Sequence, residues 1–107
     1  MAYNEITRLT GRSGAKYEFS IFPRMTTFQA KGGVYVMGKA LGRERYAFCF
    51  VGQSGDLSVR PFNQNKTACF ARFGADHIFV LEEQNADRRA AIVEDLIQAY
   101  APSCNSP

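Results

Sequence analysis

The stretch "GVYVMGKALGRERYAFCFVG", residues 33–52, decides the fold. Its ends, "GVYVM" and "RYAFCFVG", are rich in β-branched and aromatic residues, while "GKALGRE" between them carries turn glycines. The stretch therefore predicts a β-hairpin. In "YAFCFV" both alternating sets of side chains are apolar, which predicts a central strand buried on both faces. Upstream, "ITRLT" and "KYEFSIF" alternate on either side of the turn-rich "GRSGA" and predict a second hairpin, ended by Pro23. "HIFVLEE" predicts one more strand of the core.

Helices are expected in the second half. Ser54 in "SGDL" offers an N-cap followed by an acid, so a helix is expected to start there and to be cut short by Pro61. "KTACFARF" predicts a helix with Cys69, Phe70 and Phe73 on one side and Gly74 just past its end. "NADRRAAIVEDLIQAY" carries the strongest helical pattern, with Asn85 as cap and Pro102 beyond its end. At roughly 100° per residue, Ile92, Val93, Leu96, Ile97 and Tyr100 form its core face. Glu94 falls at the border of that face, and Asp95 and Gln98 fall on the open side. The element order predicts an α+β domain with a mostly antiparallel sheet covered by helices.

Composition narrows the class. The 107 residues are 46% hydrophobic and include nine Phe, enough for one packed core. No apolar run reaches the roughly 18 residues of a membrane span. "MAYNEITRLTGR" has no apolar segment of a secretory signal, so the cytoplasm is the expected compartment. Cys49, Cys69 and Cys104 are odd in number and widely spaced, which predicts three free thiols and no structural zinc. The net charge is +3, with the excess of cations in residues 1–45, the half expected to meet a polyanion.

With Tyr35, Arg60 and Glu94 in view, the chain resembles the GIY-YIG nuclease family. The two name motifs correspond to "GVY", Gly33 to Tyr35, and "FVG", Phe50 to Gly52. "GQSGDLSVR" has the form of the family's following turn and arginine, and "EDLIQAYAPSCN" places Glu94, Tyr100, Pro102 and Asn105 in the family's order. The resemblance covers about residues 32–105. It implies one GIY-YIG-like domain over 1–107, in which a three-stranded antiparallel core flanked by helices carries residues 1–31 as an N-terminal hairpin and loop.

The resemblance also implies a chemistry, cleavage of a phosphodiester bond of nucleic acid, DNA ahead of RNA, with one Mg²⁺ or Mn²⁺ ion. Tyr35 would help deprotonate the attacking water, Arg60 would clamp the phosphate and Glu94 would hold the metal. Asn105 would help order the site, and Gln53, Ser54, Gln64 and Lys66 would contact phosphate or base. Three departures bear on activity. Phe50 stands in place of the family's second tyrosine; Pro61 follows Arg60 directly; and Gln64 stands where many members carry His or Tyr. Tyr46, expected on the same face as Phe50 but roughly 13 Å away at strand rise, is too distant to substitute. Two functions follow as expectations: a weakened metal-dependent endonuclease, and a catalytically inactive module that binds nucleic acid or protein on the same fold.

Overall fold

The computed structural model describes residues 5–43, 45–59 and 64–105, apart from the Gln64 side chain. Five strands form one antiparallel sheet: β1 (Glu5–Thr10), β2 (Lys16–Pro23), β3 (Gly33–Gly42), β4 (Arg45–Ser54) and β5 (His77–Glu82). Their order across the sheet is β1-β2-β5-β3-β4. Helix α1 (Thr67–Phe73) and helix α2 (Ala86–Tyr100) complete the fold, with short 3-10 turns at Gln64–Lys66 and Ser103–Asn105. The expected α+β class holds. The first hairpin is no appendage, because β2 pairs with β5 inside the same sheet.

Strand alternation separates two apolar cores. Val34, Val36, Phe79 and Val51 point to the side where Ile92 and Leu96 of α2 lie. Tyr35, Met37, Ile78 and Val80 point to the side where Phe70 of α1 lies. The sheet is thus covered on both faces, and this explains why β3 reads apolar at every position from Gly33 to Met37.

The predicted central place of "YAFCFV" is corrected: β4 is an edge strand. Its apolar character on both faces comes from the helices above and below. Its outer edge is closed at Val51, whose N–H donates to Asn105 Oδ1 at 2.8 Å and whose carbonyl accepts from Asn105 Nδ2 at 2.9 Å. One amide side chain thereby takes the place of a neighbouring strand at that residue.

A bulge lies in the same strand. Met37 faces Phe50 and Gly38 faces Phe48, so Cys49 is the extra residue. The bulge places Phe50 in the α1-side core and leaves Phe48 and Tyr46 in the other, packed on Phe79. Simple alternation therefore misassigned Tyr46, which does not share a face with Phe50.

The helix ends follow their capping residues. Asn85 Oδ1 accepts from Arg88 N at 3.0 Å, and Gly74 closes α1 in the left-handed region at φ 84°. The helix expected from Ser54 does not form over Ser54–Val59. Ser54 Oγ instead accepts from Asp56 N and donates to Asp56 O, which spends the cap on a local turn. The expectation of three free thiols also fails. Cys69 and Cys104 are joined in a disulfide that ties α1 to the C-terminal turn, and only Cys49 is free and buried. Disulfides persist in oxidising surroundings, so the bridge does not support the expected cytoplasmic compartment. No helix among the described residues is long and apolar enough to cross a membrane.

Candidate functional site on the α1 face

The two motif strands are neighbours, and Tyr35 directly faces Gly52 across the β3–β4 ladder. The glycine is a packing requirement. A Cβ there would lie 2.8 Å from the Tyr35 ring and 2.7 Å from the Phe50 ring. Tyr35 is only 1% exposed, and its ring stands 6.0 Å from Phe50, which in turn stands 5.4 Å from Phe70. Phe50, the departure from the family tyrosine, is thus one member of an aromatic row joining β3, β4 and α1. An apolar ring suits that place because a hydroxyl buried there would need its own partner.

Glu94 lies elsewhere. Helix α2 covers the opposite face of the sheet, and the Glu94 carboxylate is exposed, accepting from Gln98 Nε2 at 2.8 Å. Tyr35 and Glu94 are therefore not brought together; the sheet separates them. Among the described residues, no three His, Cys, Asp or Glu side chains converge on one point. This donor set does not fit a divalent ion shared with Tyr35. Arg60 and Pro61 lie outside the described residues.

The expected phosphate contacts divide in a similar way. Gln53 Oε1 accepts from Arg89 Nε at 2.9 Å, Ser54 is held in its turn, and Asn105 is committed to Val51. Lys66 is half-buried and ends the Gln64–Lys66 turn, next to α1. Of these residues, Gln53, Ser54 and Asn105 each have a side-chain oxygen engaged within the fold.

Two polar residues gain roles that the sequence reading did not assign. Arg89 is buried, and its guanidinium donates to the carbonyls of Glu83 (3.0 Å) and Gln84 (2.9 Å) as well as to Gln53. It fastens α2 to the ends of β4 and β5. Asp95, expected on the open side of α2, accepts from Ser13 N, Ser13 Oγ and Tyr17 Oη at 2.7–2.8 Å. The Ser13 and Tyr17 bonds hold its carboxyl below the usual carboxylate range, while burial and the Asp95 carboxylate push the Tyr17 phenol up. Neither role has a signal along the chain, since each depends on a partner at least 36 residues away.

Around α1 the polar inventory differs. Lys39 Nζ stands 5.6 Å over the Phe73 ring, and the Arg24 guanidinium stands 5.8 Å over Phe70 while donating to the Ala75 carbonyl. Arg72 is exposed in the last turn of α1, two residues before Gly74, whose position lies against the Lys39 stem. The ion pairs among the described residues join Arg8 to Glu18, Lys31 to Glu82, Arg88 to Glu83 and His77 to Asp76. Lys39, Arg43, Arg45 and Arg72 belong to none of them. The local acid, Asp76, is taken by His77 at 2.7 Å and by the Ala40 N–H at 3.0 Å, bonds that lower its pKa. Cys49, beneath this face, has its thiol pushed up to about 11 by burial and is not a nucleophile at neutral pH.

No protein-family model matches the chain, and neither a curated protein nor a solved structure matches it.

Proposed function

We propose that this protein is a nucleic-acid-binding module that engages phosphates through the α1 face and does not cut. The observation that carries the reading is the placement of Lys39 over Phe73, Arg24 over Phe70 and Arg72 in the last turn of the same helix, with Lys39 and Arg72 outside every ion pair among the described residues. Cations presented together, with the nearby Asp76 carboxylate already bonded to His77 and the Ala40 N–H, can neutralise phosphates and release counterions. Separation of Tyr35 and Glu94 by the sheet supports binding over cleavage.

Fluorescence anisotropy of a labelled DNA oligonucleotide, titrated with protein at several salt concentrations, tests the reading. Binding is expected at low salt. The Lys39→Glu, Arg72→Glu variant is expected to flatten the slope of log affinity against log salt by about 1.8 for duplex, two cations at about 0.9 each. Absence of binding by the wild type at low salt, for DNA and RNA alike, removes the nucleic-acid reading and leaves a protein-contact role.

A second reading, Mg²⁺- or Mn²⁺-dependent cleavage, is favoured by one observation: the strands that carry the two family-like motifs are neighbours, with Tyr35 opposite Gly52. Nicking of supercoiled plasmid by the wild type, lost in Glu94→Ala, would establish it over the binding-only reading. Nicking only after Phe50→Tyr would mean that a single position silences the site.

A further inference from the structure

Helix α1 shares its side of the sheet with a second cover. Phe70 of α1 reaches Phe50 of β4, while Phe22 of β2 and Phe28, in the connection formed by residues 24–32, pack against the same core from the other end. That connection is fixed along its length. Its Arg24 N–H donates to the Asp76 carbonyl at 3.1 Å, its Lys31 carbonyl accepts from the Leu57 N–H at 2.9 Å, and its Gly32 N–H donates to Gln84 Oε1 at 3.2 Å. Between this wall and strands β2 and β5 lies a cavity of about 620 Å³, a volume usual for a small-molecule site.

The lining divides into an apolar floor and a charged rim. Val80 and Leu57 are buried, and Phe28 stands edge-on to Phe22 with ring centroids 5.0 Å apart. Ser20 pairs with Val80 across β2 and β5, and two residues along each strand on the same face come Glu18 and Glu82, both lining the cavity. Arg8 Nε lies 3.9 Å from Glu18 and Lys31 Nζ lies 3.6 Å from Glu82, and all four side chains are about half exposed or more. Exposed pairs of this kind contribute little, and like charges on neighbouring strands repel. A cation placed between the two carboxylates relieves that repulsion. Lys31 is the one cation among the described residues that line the cavity.

We infer that this cavity is a binding site for a small aromatic amine, its ring against Phe22, Phe28 and Val80 and its ammonium group between Glu18 and Glu82. Aromatic walls supply contact area and edge-to-face geometry, and an ammonium donates charge-assisted hydrogen bonds to carboxylates. The site stands apart from the cations of the nucleic-acid reading, since neither Lys39 nor Arg72 lines it.

The chain contains no tryptophan, so indole emission reports the ligand alone. Tryptamine, excited at the red edge of its absorption and titrated with the full chain, is expected to show saturable binding by anisotropy. Tryptophol, the same ring with a neutral hydroxyl, is expected to bind more weakly, and the carboxylate indole-3-propionate more weakly still. Glu18→Gln and Glu82→Gln are each expected to weaken tryptamine by about threefold to fivefold and to leave tryptophol unchanged. Lys31→Gln, which frees Glu82, is expected to tighten tryptamine. Ser20→Phe fills the cavity and is expected to abolish binding of both ligands, with its fold checked by circular dichroism; should it fail to fold, the glutamate and lysine variants, at exposed positions, decide. Absence of saturable tryptamine binding overturns the inference. Equal binding of amine, alcohol and carboxylate overturns it as well, as does tryptamine binding that ignores both glutamate variants.

Discussion

The two faces of the sheet are built from the same five strands and finished differently. On the α2 face, several polar groups are matched within the fold: Asp95 to the first hairpin turn, Arg89 to Gln53 and two carbonyls, Glu83 to Arg88. On the α1 face, apolar contacts and the Cys69–Cys104 bridge provide closure, and cations remain at the surface outside the ion pairs described. A face that consumes its charges internally serves the fold. One that leaves like charges together sacrifices some stability through repulsion and makes them available to a ligand.

The difference can be broken most forcefully from the α2 side. Leu96 is fully buried between α2 and the sheet, and Leu96→Ala is expected to cost about 2–5 kcal/mol in chemical denaturation. Binding per folded molecule should stay unchanged. On the other face, replacing both Cys69 and Cys104 by serine opens a loop spanning 35 residues of separation, at an expected cost of about 2–4 kcal/mol. Here binding should fall as well, because α1 carries Arg72. If the loss of the bridge leaves affinity untouched, α1 is not part of the contact surface.

Arg89→Met comes next in size. It leaves the Glu83 and Gln84 carbonyls without their donor and is expected to cost about 1–3 kcal/mol, read as a lower denaturation midpoint. The smallest effect concerns Asp95 and Tyr17. The folded carboxyl has a depressed pKa, so its contribution is complete above about pH 4 and is lost as pH falls through the folded value. The Tyr17 phenol is raised, so its contribution is complete below about pH 10 and is lost as pH climbs through its folded value. Melting curves across pH should show both declines in the wild type and a flatter profile in Asp95→Asn.

Much of this architecture was legible in the chain. Strand boundaries followed from alternation and turn residues, and α2 from Asn85 and its 3.6-residue pattern, because those signals are local. The helix expected at Ser54 was lost because a serine oxygen can serve a two-residue turn as readily as a helix start. The strand "YAFCFV" was read as central since a period of two cannot tell a central strand from an edge strand roofed by helices. Its bulge at Cys49 leaves no mark in composition, yet it reverses the face of Tyr46 relative to Phe50. The disulfide was missed for a related reason: the closeness of residues 69 and 104 is a product of topology.

The candidate site was less legible than the fold. Tyr35 and Glu94 stand in the order that the family resemblance needs, but order along a chain does not specify which side of a sheet each residue occupies. Lys39 and Arg72 were visible only as part of a basic half-chain and a short helix. What marks them is that neither joins an ion pair among the described residues, the nearby Asp76 being taken by His77, a property of the folded surface.

Mapping of backbone amide shifts in isotope-labelled protein, titrated with a short DNA duplex at low salt, tests the division of the faces most directly. The account predicts perturbations concentrated in residues 38–40 and 70–77, with the exposed side of α2 silent. Perturbations centred on Glu94 and its neighbours on α2 would contradict it, placing the ligand on the face whose charges the fold already uses.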